Sequence, residues 1–273
     1  MTAKVPVVQV GELPSWEPVA ERLSALMKSL GDISPDLHSR VPSDCLWQFK
    51  ALIDTGEDIF MTTIVALQAV DDLGKQPPKV QQLWREGGHD AEDRMRIWAS
   101  DPAGHNRPQW TIVAMAATAW CNVLEGFLRG ISATAIDAGA VSRVRGAFPD
   151  AQIDWGVLPT ARSQITAKML PSTKKKGQSF RYVEAVFGYQ IDSDVGCGLR
   201  SLITFRNAVT HPKRGRTHDE HRDCPSSAEW VAWAASVRCL AGTVIRALAD
   251  CLDGRRAAGE VIPLFPGGVA GPT

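Results

Sequence analysis

An all-α fold is what this sequence predicts, and two observations carry the prediction. Apolar residues recur at three- and four-residue spacing in one segment after another, while strand-like alternation is confined to residues 5–10. Clusters of Gly, Pro, Asn, Asp and Ser separate those segments, as turns between helices require. With 273 residues, 44% of them apolar and 7% aromatic, the chain can bury a sizeable core.

The helices follow in order. Trp16, Val19, Leu23, Leu26, Met27 and Leu30 line one face of the first, with Ser15 as N-cap, Pro18 in the first turn and Gly31 as its stop. Ser43 and Asp44 cap a short helix through Ile53, and Gly56 is expected to break it before a second stripe of Ile59, Phe60, Thr63, Leu67 and Val70. After Pro77-Pro78, Val80, Leu83 and Trp84 open another helix, interrupted at Gly87-Gly88 and resumed through Met95 and Trp98. The turn formers from Asp101 to Pro108 then mark a boundary, so that residues 1–105 form a helical N-terminal region.

The longest helix is expected from Gln109 to about Ile136, with Ile112, Ala116, Ala119, Val123, Phe127 and Ile131 on its buried face. Residues 139–160, with three glycines and two prolines, read as an irregular connection. Shorter helices are placed at Thr160–Met169 and Gln178–Tyr189, separated by Pro171 and the Lys174-Lys175-Lys176 run. Gly196 and Gly198 open a helix that continues through Leu199, Leu202 and Ile203 to Thr210. The last helix follows Ser226-Ser227, whose hydroxyls suit an N-cap with Glu229 in the first turn, and buries Trp230, Trp233, Val237, Leu240, Val244, Leu248 and Cys251. Residues 257–273 read as an irregular tail.

Net charge is zero, which excludes a global field toward nucleic acid or anionic lipid and makes any basic surface local. The uncharged run Trp110–Leu124 is shorter than the ~20 residues of a membrane span, and the first ten residues carry no signal-like apolar core. A soluble, cytoplasmic chain with no membrane partner is expected. The six cysteines are scattered without a Cys-x-x-Cys pair, which points to buried free thiols in a reducing compartment.

The segment richest in chemistry is Arg206-Asn207-Ala208-Val209-Thr210-His211, followed by Pro212, at the end of an apolar helical run. It joins a cation that can grip two phosphate oxygens to a histidine that titrates near pH ~6.5 and serves as acid or base. Metal-free RNA cleavage needs a base for the 2′-hydroxyl proton, an acid for the departing 5′-oxygen and a cation for the charge gathering on the phosphate. Asn207 can hold the phosphate or the turn that carries His211. Pro212 disfavours helical backbone just before it, which is expected to leave the imidazole at the helix rim. A structural alternative is that Arg206 pairs with a carboxylate and His211 closes the helix against its terminal carbonyls. Arg214 and Arg216 reach His221 at similar spacing, but without an apolar helix before them.

The hexapeptide resembles the Arg-x4–6-His motif of the HEPN superfamily, helical domains of prokaryotic RNases and toxins in which Asn often follows the Arg. The order of elements from Gln109 to Asp253 is similar to that of a HEPN four-helix bundle, so the resemblance covers roughly half of the chain. It implies a HEPN-like four-helix bundle over residues 106–256, with Arg206, His211 and Asn207 catalytic in a metal-independent endoribonuclease that needs no cofactor. It further implies RNA as substrate, a homodimer that shares one cleft, and a toxin or phage-defence setting with an antitoxin or regulatory protein as partner. The rival reading is a catalytically silent HEPN-like module for dimerisation and RNA or partner binding, with residues 1–105 as its recognition surface. Leu124-Glu125-Gly126-Phe127-Leu128 also looks like the acidic-aromatic stretch of many HEPN domains, which implies that Glu125 orients Arg206 or His211. Spacing by itself pairs Glu125 with Arg129 at i,i+4.

Two basic tracts flank the motif. Arg143, Arg145, Arg162, Lys168, Lys174, Lys175, Lys176 and Arg181 precede it, and Lys213, Arg214 and Arg216 follow. Lys174, Lys175, Lys176, Lys213, Arg214 and Arg216 are the candidate RNA contacts, through phosphate and without sequence information; the alternative is a solvated charged face. His218, His221 and Cys224 offer three metal donors, but in no familiar zinc spacing and among arginines that would repel a cation, so no metal site is expected. Gly196-x-Gly198 lacks the third glycine and the strand of a dinucleotide fingerprint. Trp120, Trp230 and Trp233 belong to apolar stripes and are expected in the core, which leaves Trp155 as the tryptophan placed to stack on a base.

Overall fold

The computed structural model describes residues 36–74, 79, 82, 86, 108–169, 180–210 and 225–257. Its elements are α1 (Leu37–Arg40), α2 (Ser43–Gly74), α3 (Pro108–Ala135), a π turn (Ile136–Ala140), α4 (Val141–Ala147), α5 (Leu158–Thr166), α6 (Arg181–Phe187), α7 (Ser193–Thr210) and α8 (Ser227–Ala257). Among the described residues no strand occurs, and the chain is all-α as its periodicity requires. The expected helix at Ser15–Leu30, residues 101–107 of the expected boundary and the tail beyond Ala257 lie outside the described residues, while Pro108 opens α3.

Four long helices, α2, α3, α7 and α8, pack together. Helix α3 touches the other three, and α8 touches α2 and α7. Of the short helices, α5 packs on α3, α6 on α3 and α8, and α4 on α6 and the π turn. One hydrophobic core runs from Leu37 to Leu252, so α2, from the N-terminal side of the expected boundary, buries its stripe in the same core as the helices that follow. Arg40 ties α1 to α8, with Nε 2.7 Å from Asp253 Oδ2 and a terminal nitrogen 2.5 Å from Asp250 Oδ1.

Gly56 does not break α2. The helix runs unbroken from Ser43 to Gly74, because an isolated glycine costs a helix only about 1 kcal/mol and this one has a packing use. The Trp120 indole of α3 donates to the Gly56 carbonyl at 3.2 Å, and a Cβ on Gly56 would stand 3.7 Å from that nitrogen. The expectation of an irregular connection across residues 139–160 is corrected in part. Gly139 takes φ +96° inside the π turn, which kinks the chain, but the helix resumes as α4 through Ala147. The helices expected near Thr160 and Gln178 are present in shorter form, as α5 and α6.

Helix α8 starts as its sequence specifies. The Ser226 hydroxyl accepts from Glu229 N at 3.2 Å, and a Glu229 carboxylate oxygen accepts from Ser226 N at 3.1 Å, a reciprocal capping box. From there the helix lays Trp230, Trp233, Val237, Leu240, Val244 and Leu248 into the core. Trp230 stacks on Trp120 with ring centroids 4.5 Å apart, and Phe60 and Phe205 extend the aromatic row on either side. Core packing is therefore what these tryptophans do, as their stripes predicted. By length and composition, Gln109–Ala147 and Glu229–Arg255 are each long and apolar enough to cross a membrane; about half of each span, 50% and 56%, is buried in this core.

The pair Gly196-x-Gly198 serves helix packing. A Cβ on Gly198 would fall inside contact distance of Ser236 Oγ and 3.0 Å from the Ala232 carbonyl of α8, so only a hydrogen lets α7 and α8 approach this closely. At Gly196 the nearest atom would be the end of the flexible Arg200 side chain, at 3.3 Å. Gly198→Ala is expected to lower stability by about 1–3 kcal/mol in urea unfolding, whereas Gly196→Ala stays near wild type or gains from helix propensity. Equal effects at the two positions would show that α7 and α8 are not held this close.

Candidate functional site

Helix α7 places the motif. Leu199, Leu202, Ile203 and Phe205 are buried, which turns Arg206 and Asn207 to the margin of the core, where both are half-buried. The last turn is closed by the Thr210 hydroxyl, which donates to the Arg206 carbonyl at 2.9 Å. Helix α7 ends at Thr210, and His211 lies outside the described residues.

Arg206 reaches α3. Its guanidinium lies against the Cys121 thiol, and its Nε is buried with no hydrogen-bond acceptor among the described residues. Burial pushes the Cys121 thiol up to about 11, against the opposing pull of Arg206, and Glu125 one turn further along α3 raises it again. Cys121 therefore stays a neutral thiol and is no nucleophile at ordinary pH. Arg206 and Glu125 thus converge on one stretch of α3, but the carboxylate of Glu125 makes its ion pair with Arg129, at i,i+4. Among the described residues no ion pair joins Glu125 to Arg206, so the orienting role implied for Glu125 has no direct contact behind it.

The candidate RNA contacts Lys174, Lys175, Lys176, Lys213, Arg214 and Arg216 lie outside the described residues, as do His218, His221 and Cys224. Their described neighbours hold specific positions. Arg162 pairs with Asp137 at 2.7 Å, and Arg143 donates to the Val186 carbonyl at 2.6 Å and to Cys251 Sγ at 2.8 Å. Lys168 and Arg181 sit over the rings of Tyr182 and Phe148, which stack on one another. Trp155 is half-buried and packs against the core.

Two features escaped the sequence reading. One is Cys121 as the neighbour of Arg206, which no spacing rule could show because the contact joins α3 to α7. The other is the aromatic pair with its two cations, whose one sequence signal is the tripeptide Phe180-Arg181-Tyr182. Among the described residues no three His, Cys, Asp or Glu side chains converge as a set of metal ligands. The five described cysteines are free, Cys45 and Cys121 buried and Cys197 exposed. No protein-family model, curated protein or solved structure matches the chain.

Proposed function

We propose that this protein is a metal-independent endoribonuclease of HEPN type, cytoplasmic, working as a homodimer in a toxin or phage-defence setting. The observation that carries the reading is the position of Arg206 and Asn207 in the last turn of α7, half-exposed, with His211 the next residue after the helix end at Thr210. In the sequence, that order sets a fixed cation five residues before a group that can titrate. The packing of four long helices supports a HEPN-like bundle, with the difference that α2 joins it from the N-terminal region.

The dimer follows from the chemistry. One His211 per chain supplies one titrating group, while transesterification calls for a base and an acid on opposite sides of the phosphate. Helix α7 leaves Cys197, Arg200, Thr204 and Thr210 exposed, a face on which a second copy could meet it across an isologous interface. Two Arg206 and two His211 would then share one cleft.

The burial of Arg206 Nε against Cys121 favours a second reading, a catalytically silent module for dimerisation and RNA or partner binding, in which this arginine only fastens α7 to α3. One experiment separates the two. For a nuclease, purified protein with a chelator present should cleave RNA and leave a 2′,3′-cyclic phosphate, and a 2′-deoxy residue at the cut site should block it. Arg206→Ala should then lose activity with its melting temperature little changed, and Arg206→Lys should recover part of it, since an ammonium cannot reproduce the two-pronged contact. A melting temperature that collapses in Arg206→Ala, with no cleavage by wild type, would establish the silent module.

A further inference from the structure

Beside the α4–α6 junction lies an open groove of about 360 Å³, lined by Phe148, Arg181, Glu184, Tyr189 and Gln190 among others. It falls within the size of ~300–1,000 Å³ typical of small-ligand clefts. One wall, formed by Phe148 and Arg181, belongs to a layered stack that continues behind it. The rings of Phe148 and Tyr182 lie 4.1 Å apart and 11° from parallel, Arg181 Cζ stands 5.2 Å from the Phe148 centroid, and Lys168 Nζ stands 5.7 Å from that of Tyr182.

The frame around this wall is fixed. Arg143 of α4 donates to the Val186 carbonyl at the end of α6, and Gly188, at φ +70°, turns the chain back with its N–H on the Glu184 carbonyl at 2.8 Å. One Glu184 carboxylate oxygen accepts from Ile191 N at 3.0 Å, which leaves the other for a ligand. The Tyr189 hydroxyl is buried with no partner among the described residues. Burial, with Glu184 near, holds that phenol protonated, so it is a donor.

We propose that this groove receives one unpaired base of a single-stranded RNA. The exposed Arg181 guanidinium, its Cζ 5.2 Å from the Phe148 centroid, offers a plane to the base, and π-faces and arginine planes are the surfaces on which proteins stack single-stranded bases. Glu184 and Gln190, both lining the groove, supply acceptor and donor groups for a base edge. Charge agrees with a polyanion here. Among the described residues, Lys168 and Arg181 flank the stacked rings, against the single carboxylate Glu184 in the lining. The alternative of a purely electrostatic face does not need the stacked rings, whereas a base-binding groove does.

This inference rests on RNA being the substrate, and it is tested by binding, apart from cleavage. The full chain is titrated against a fluorescein-labelled 2′-O-methyl oligoribonucleotide, which cannot be cut, against the same backbone without bases, and against the duplex, all followed by anisotropy. Wild type should bind the single strand and bind the base-free strand and the duplex distinctly less well. Arg181→Ala should weaken binding by about tenfold, and Arg181→Lys should lose most of that factor too, because it keeps the charge and loses the plane. Arg181 is exposed, so both variants should melt with wild type. Absence of binding by wild type, equal binding of the base-free strand, or wild-type affinity in Arg181→Lys would each overturn the proposal. Affinity that depends on Arg181 without cleavage by any form would keep the groove and reject the nuclease; His211-dependent cleavage with affinity indifferent to Arg181 would do the reverse.

Discussion

Changing His211 to alanine is expected to abolish RNA cleavage, a fall of at least about 10²-fold and up to about 10⁴-fold if the imidazole transfers a proton in the rate-limiting step. No other described group near Arg206 can take that role. Burial keeps Cys121 a neutral thiol, and Glu125 is committed to Arg129. The fold should survive, because the preceding residue, Thr210, is exposed and the buried face of α7 ends at Phe205. Circular dichroism and the melting temperature should therefore match wild type while the cleavage assay falls to background. Mixing the inactive subunit with wild type should lower activity by more than dilution, as a shared cleft requires. Undiminished cleavage by His211→Ala would remove the catalytic assignment.

The largest effect on stability is expected at Trp120. Its side chain is 2% exposed, its ring packs against both Trp230 and Phe60, and its N–H holds the backbone of α2 at Gly56. Trp120→Ala should cost about 3–5 kcal/mol, the usual toll of deleting a buried aromatic side chain that its neighbours cannot replace. Trp120→Phe keeps most of the volume but loses the indole's hydrogen bond to the Gly56 carbonyl, which keeps its place in the helix ladder, at about 0.5–1.5 kcal/mol. Trp230→Phe is the instructive contrast. The Trp230 N–H is buried with no acceptor among the described residues, so its loss carries no hydrogen-bond penalty and the variant should be less destabilised than Trp120→Phe. Urea unfolding of the three proteins checks the order. If Trp230→Phe proves the more costly, the hydrogen bond to Gly56 is not what holds α2 against α3.

Much of the fold was legible in the chain because it is written locally. The stripe Trp230, Trp233, Val237, Leu240, Val244 and Leu248 has one consistent period, and Ser226 and Glu229 stand at the spacing of a capping box, so the start and buried face of α8 needed no partner to be read. Helix α7, through Thr210, was legible for the same reason. Gly56 misled because a glycine within a stripe looks like a break until the indole that needs its close backbone is known. Trp47 shows the converse: a large apolar residue, it remains 68% exposed because α2 turns it away from its neighbours.

The candidate site divides in the same way. Arg206, Asn207 and His211 share one short segment, so their types and order are properties of the sequence alone, as is the all-helical class. The buried faces were read only in part: Ile112, Ala119, Val123 and Cys251, expected in the core, are half-buried, and Cys121 is fully buried. What lies next to the motif is not a property of the sequence alone. The seating of Arg206 against Cys121, the diversion of Glu125 to Arg129, the entry of α2 into the common core, and the meeting of Phe148, Arg181 and Tyr182 at one groove all join residues far apart in the chain or on competing faces. Local periodicity states which face of a helix is apolar but not which helix will cover it. That choice is made by side-chain volume and close backbone approach, as at Gly56 and Gly198, and only the packed molecule contains it.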